Sequence, residues 1–156
     1  MRDPARRPAT LILPPLPYAL ALYAGWRLDR DWRAAPLELG YANTLLGATL
    51  TLLGLALFAW TLLTFLRHHT TVNPYQAASR LATTGPFRHS RNPIYLGDWL
   101  IFLGVTLLLH TLWPLAFAPL VWSVIRYGVI RHEEAHLAAR FGEEYRAYRS
   151  RTPRWL

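Results

Sequence analysis

Apolar positions along the chain come in long unbroken runs rather than in the alternating patterns of a water-soluble fold. From Tyr41 to Leu66, "YANTLLGATLTLLGLALFAWTLLTFL", no charged residue occurs. At a helical rise of about 1.5 Å per residue, the run exceeds the roughly 20 residues needed to cross a bilayer core. A second uncharged run extends from Trp99 to Ile125. Only helices or closed barrels satisfy their backbone in lipid, and runs of this length are helical. The reading is an all-α integral membrane protein, one membrane domain over residues 1–156.

Four spans are predicted, at about 11–28, 41–66, 94–110 and 113–130. The first is the weakest, and Pro14, Pro15 and Pro17 fall in its opening turns, where proline is tolerated. With "MRDPARRPAT" in front it has the outline of a signal peptide. It ends in Trp26 and Arg27 rather than at a small-residue cleavage site, so it reads as a retained span. A mixed-charge loop, "RLDRDWRAAPLELG", leads to the second span. The stretch Ile94 to Ile130 is too long for one crossing. His110, Thr111 and Pro114 near its middle predict a hairpin, with one kinked helix as the alternative.

Beyond the last span, Leu137, Phe141, Tyr145 and Tyr148 recur at helical spacing, predicting an amphipathic tail helix over about 131–149. Gly142 interrupts it, marking either close packing or approach by a ligand. Such a helix lies on the membrane or folds back over the mouth of the bundle.

Charge fixes the expected orientation. All 17 basic residues are arginine and the net charge is +8. That balance raises nucleic acid as a partner, but the arginines gather at the ends of apolar segments, which is the positive-inside pattern of a bilayer protein. Arg67, Arg80, Arg88 and Arg91 precede the third span, and seven more arginines follow Ile125. Both segments are expected to be cytoplasmic, which requires an even number of crossings between them and favours the hairpin. Arg2, Arg6 and Arg7 then put the N-terminus inside as well. The chain has no cysteine, so disulfides, thiolate nucleophiles and cysteine metal sites are excluded.

Two motifs carry chemistry. The first is "HEEAH", His132 to His136, whose H-E-x-x-H spacing puts two histidines on one helix face beside Glu133. A zinc site needs a third ligand. Glu143 and Glu144 lie about 10–12 Å further along the same helix, too far to join one coordination sphere. Ala139 and Gly142 occupy the Gly and His positions of the extended motif. His68, His69, His89 or Asp98 remain as donors from elsewhere. The second motif is "TTGPFRHSRNPIYLGDWL", where Gly85-Pro86 signals a turn and Asn92-Pro93 a capped helix start. Asp98 follows within the first turns of a membrane helix. An acid there faces a cavity or a partner, Arg126 being one candidate.

"GPFRHSRNPIYLG", a hairpin, and then "EEAHLAARFGEEYRAYRSRTPRWL" resemble the isoprenylcysteine carboxyl methyltransferase and phospholipid methyltransferase superfamily. Its pattern is carried by Gly85, Pro86, Phe87, Arg91, Pro93, Tyr95 and Gly97, then Glu133, Glu134, Leu137, Phe141, Gly142, Tyr145 and Tyr148. The segment before the first motif is similar to that of bacterial members. One departure is Asn92, where the family usually has histidine.

The resemblance implies an S-adenosylmethionine-dependent methyltransferase in a bacterial inner membrane. Its acceptor would be lipophilic or a small carboxylate, amine or thiol, reached from the bilayer. Arg91 and Glu134 become the candidate catalytic residues. Asn92, Pro93, Tyr95, Leu96, Gly97, Glu133, Glu134, Tyr145 and Tyr148 become the candidate cofactor-binding set, with no metal. Packing explains Tyr145 and Tyr148 equally well, and lipid anchoring explains Arg88 and Arg91. Two other enzymes stay open: a membrane zinc hydrolase using His132, Glu133 and His136, and an NADPH-dependent membrane reductase of related fold.

Overall fold

The computed structural model describes residues 13–32, 36–67 and 80–156. Arg2, Arg6, Arg7, the first two residues of the 11–28 span, His68 and His69 lie outside them. The described residues form helices α1 (Pro15–Trp32), α2 (Tyr41–Arg67), α3 (Pro93–Leu108), α4 (Trp113–Ala116), α5 (Ala118–Ser123) and α6 (Arg131–Arg151). A 3-10 turn, Gly85–Arg88, precedes α3, and a π-helical segment, Val124–Ile130, joins α5 to α6.

Helix α2 follows its uncharged run and is long and apolar enough to cross a membrane, with mean hydropathy 2.0 over its best window. The shorter apolar α3 packs along it. Glycines set their spacing. Gly47 faces the carbonyl of Gly104, and Gly54 faces that of Gly97. A methyl group on Gly54 would come within 2.7 Å of the Gly97 oxygen. Gly47 and Gly54 are seven residues apart, as are Gly97 and Gly104, and they meet in opposite order, so the two helices are antiparallel. Small residues that let backbones meet are the usual device for helix association in lipid, where the hydrophobic effect supplies no drive. The outer face of α2 carries exposed Leu45, Leu52, Leu53, Phe58, Leu63 and Leu66, a surface suited to acyl chains rather than water.

Helix α1 extends past its expected end near residue 28 into the segment read as a loop. Those polar residues support a helix: Arg27 bridges Asp31 one turn on at 3.3 Å, and the Arg30 guanidinium lies over the Trp26 ring. Tyr18 meets Trp99 and Phe102 edge-on, and Trp32 meets Trp113. Helices α1 and α3 therefore run in the same direction.

Beyond α3 the chain reverses at His110, which adopts φ 55°. Fully buried Asn43 donates from Nδ2 to the Leu37 carbonyl and lies 2.8 Å from His110 Nδ1, tying the reversal to the start of α2. The returning limb is not one helix. It breaks at Phe117, where Pro119, lacking an N–H, cannot continue the ladder begun in α4. The limb ends beside the start of α3. A helical hairpin, not one kinked helix, occupies 94–130. All four limbs thus alternate in direction, leaving a turn end with His110 and a motif end with both sequence motifs.

Candidate functional site

The first motif reaches the site through a rigid approach. Gly85, at φ 58°, presses on Thr64 of α2, where a side chain would not fit. The 3-10 turn then buries Pro86 and Phe87. Asn92 stands at the N-cap of α3, but its side chain does not cap the helix. It donates instead to the Arg154 carbonyl at 2.9 Å, while Ser90 Oγ donates to the same carbonyl at 3.1 Å and accepts from the Asn92 N–H. The Arg91 N–H reaches the Pro153 carbonyl at 3.0 Å. The expected cap is absent: the Asn92 amide is turned to the C-terminal segment, and its oxygen accepts no N–H from the first turn of α3.

The second motif comes from α6, which follows the π-helical segment without a break. Such widened turns recur at functional sites because they re-aim the residues after them. Tyr95 donates to Glu133 Oε1 at 2.8 Å, joining the two motifs directly. Glu134 is held by Arg154, from Nε at 2.9 Å and from a terminal nitrogen at 2.6 Å, and Arg91 approaches it at 3.2 Å. Arg91 also lies 3.4 Å from the Tyr145 hydroxyl.

The adjacent glutamates are tuned apart. Burial, countered in part by the Tyr95 hydrogen bond and reinforced by the Glu134 charge, pushes the Glu133 carboxyl up to about 7. Burial acts on Glu134 too, but the Arg154 hydrogen bonds and the charges of Arg91, Arg154 and Arg149 overcome it and hold Glu134 below the usual carboxylate range. One carboxylate is fixed as an anion; its neighbour is poised to gain or lose a proton near neutral pH.

Gly142 has φ 49° and ψ −117°, a conformation suited to glycine, with open space where a side chain would go. It marks a kink, not a close approach. The kink turns the rest of α6 over the first motif, so that Tyr145 and Tyr148 pack with Ala82 and Phe87, and the Tyr148 hydroxyl donates to the Phe87 carbonyl at 2.8 Å. The C-terminal half of α6 thus packs on the first motif.

Of the expected site residues, Tyr95 pairs with Glu133, and Arg91, Glu134 and Tyr145 form a second polar group with Arg154, the two groups adjoining through the neighbouring glutamates. Asn92 and Tyr148 tie the surrounding segments. Pro93 is buried in the first turn of α3, and Leu96 is half-buried beside it. Gly97 is not with them; it lies in the α2–α3 seam against Gly54. Arg126 does not pair with Asp98. Its guanidinium lies over the rings of Trp122 and Tyr127. Arg154 and Ser90 were not singled out from sequence. Ser90 lies within the first motif and Arg154 in the Pro153-Arg154 ending of the second, but no local pattern marks either, because the contacts they make are 64 and 20 residues away.

Among the described residues, no three His, Asp or Glu side chains converge as a metal site. His136 is buried while His132 is exposed, so the two do not share one environment. No curated protein and no solved structure matches the chain. Residues 42–144 match the family described as phospholipid methyltransferase, a stretch from the start of α2 to the middle of α6 that contains the whole first motif and the second from Glu133 through Gly142. That match speaks for a membrane methyltransferase and lends no support to a zinc hydrolase or a reductase. The chain belongs to the phospholipid methyltransferase family, within the isoprenylcysteine carboxyl methyltransferase-like superfamily.

Proposed function

We propose that the chain is an integral membrane methyltransferase that binds S-adenosylmethionine at the motif end, between the start of α3 and α6. The observation that carries this reading is the Tyr95–Glu133 hydrogen bond, which makes one site of two motifs 38 residues apart. Bound there, the donor supplies a methyl group on a sulfonium sulfur that departs as a neutral thioether.

The residues present fit such a ligand. Arg91 Nε is buried without a hydrogen-bond partner among the described residues, a donor suited to the ligand's carboxylate. Glu133, poised near neutrality, ionises when a cation arrives and thereby holds the ammonium group or ribose hydroxyls. Glu134 does not need to touch the ligand; as a fixed anion it orients Arg91 and Arg154. Leu96, Tyr145 and Tyr148 supply apolar surface, and closure of α6 over the mouth excludes water from the reacting atoms. The acceptor is lipophilic or a small carboxylate, amine or thiol.

In the same reading the four limbs cross a bacterial inner membrane with both ends cytoplasmic. At the motif end the described residues include Arg67, Arg80, Arg88, Arg91, Arg131, Arg140, Arg146, Arg149, Arg151 and Arg154; at the turn end Arg27 and Arg30 are accompanied by Asp29, Asp31 and Glu38. That asymmetry follows the positive-inside rule. Since the chain has no cysteine, Leu39→Cys and Arg149→Cys should label from opposite faces of intact cells; labelling from one face overturns the topology.

Equilibrium binding of S-adenosylmethionine to detergent-solubilised protein tests the function. Stabilisation should grow as RT ln(1 + [L]/Kd), and Glu133→Gln or Arg91→Ala should weaken binding about tenfold or more, the loss of one charge-assisted hydrogen bond. No stabilisation of well-folded protein at millimolar donor sinks the reading.

A further inference from the structure

Next to the Tyr95–Glu133 pair, two polar atoms inside the bundle have no hydrogen-bond partner among the described residues. The Asp98 Oδ2 oxygen and the Tyr18 hydroxyl are both buried without a hydrogen-bond partner. Tyr18, on α1, is 5% exposed, and its ring is fixed edge-on against Trp99 and Phe102. Asp98 stands one turn along α3 from Tyr95 and within electrostatic reach of both tyrosine hydroxyls. Helix α2, on the other flank of α3, carries no ionisable side chain between its terminal Tyr41 and Arg67, and Arg126 of the returning limb is engaged on aromatic rings. Among the described residues, a carboxyl in this position has no neutralising partner. A buried acceptor left unsatisfied is costly, more so when charged, and an acid placed so within a membrane segment is a site residue by default.

We propose that Asp98 and Tyr18 form the head-group subsite for the methyl acceptor, and that this subsite takes a proton-bearing head, N–H or S–H, on an apolar tail, and rejects an anionic one. The inference rests on the methyltransferase reading and narrows its acceptor. Asp98 Oδ2 accepts a hydrogen bond from the head and the Tyr18 hydroxyl supplies a second polar contact, while Trp99 and Phe102 flank the first carbons of the tail. For an ammonium or thiol head, one N–H or S–H bond breaks, the electron pair stays on nitrogen or sulfur, and the proton passes to Asp98. The head then carries the lone pair that a displacement requires. A carboxylate head brings no proton and meets Asp98 as a like charge, which disfavours it.

The test uses the full-length chain in dodecylmaltoside micelles with dodecylamine, dodecanethiol and dodecanoate as probes, titrated without methyl donor. Dodecylamine or dodecanethiol should bind about tenfold or more tightly than dodecanoate, the difference one charge-assisted hydrogen bond makes. Asp98→Asn should erase that preference, Asp98→Glu should restore it in part, and Tyr18→Phe, which keeps the ring, should weaken both protic probes. S-adenosylmethionine affinity should be unchanged in every variant. Retention of the preference in Asp98→Asn and Tyr18→Phe, tighter binding of dodecanoate, or binding of the donor with no binding of either protic probe would each overturn the subsite. Failure of the donor itself to bind overturns the methyltransferase reading instead, while the head-group preference still reports on Asp98.

Discussion

Arg154 grips both carboxylate oxygens of Glu134, at 2.9 and 2.6 Å, across 20 residues of chain. The fork closes the C-terminal segment onto α6 while the Arg154 carbonyl accepts from Asn92 and Ser90. One residue therefore links the start of α3 to the opening of the second motif by both its backbone and its side chain.

Replacing Arg154 with lysine keeps the charge and loses the two-pronged geometry. Arg91 still neutralises Glu134, so the cost should be about 1–2 kcal/mol, that of one charge-assisted hydrogen bond. Glu134→Ala leaves Arg91, whose side chain is 9% exposed, without its carboxylate, and should cost more, about 3 kcal/mol or above. Denaturant unfolding in detergent ranks the two; equal losses would show that the fork carries no special weight.

Stability of the ligand-free protein should peak near pH 5. Glu133 is raised from 4.5 to about 7, so the folded state binds more protons than the unfolded one in that interval, and stability falls as pH rises through it. Glu134 is lowered from 4.5, so its contribution is present above that value and is lost as pH falls below it. Thermal midpoints from pH 3 to 9 should show both limbs, and Glu133→Gln should flatten the upper one. An upper limb unchanged in Glu133→Gln would mean that another group titrates there.

Two glycines should fail for different reasons. Gly142→Ala meets no atom, yet forces alanine to φ 49°, at a cost of about 1–3 kcal/mol. Gly54→Ala has ordinary helical dihedrals but places a methyl group 2.7 Å from the Gly97 carbonyl, and overpacking of this kind costs about 1–3 kcal/mol. Gly142→Asn, which tolerates positive φ better, should recover part of the first loss, whereas no residue larger than glycine should recover the second. Unfolding midpoints of the three variants check this.

His132→Ala should leave both stability and donor binding unchanged, since His132 is exposed and joins no convergent set of three metal-ligating side chains among the described residues. Stoichiometric zinc in the purified protein, lost in this variant, would reinstate the hydrolase.

The sequence by itself determined the helical class, the run that becomes α2, the reversal at His110 and the two motifs, because each is a local property: unbroken hydropathy, a turn between apolar stretches, residues in fixed order. It marked Gly142 but not why, since an interruption in a helical pattern does not say whether a glycine is needed for space or for dihedral angles. It ended α1 too early, because charge alone does not tell a loop from a polar helix held by Arg27 and Asp31. Only the tertiary structure decided what the motif residues do. Glu133 and Glu134 are neighbours of one type, and their opposite tuning comes from burial, which dominates at Glu133, and from Arg154 and Arg91, which overcome it at Glu134 from distant stretches of chain. Asn92 looked like a cap until Arg154 was placed beside it, and Asp98 acquired Tyr18 as a neighbour only when α1 packed on α3. Such assignments depend on which side chains share a volume, and chain order does not encode that locally.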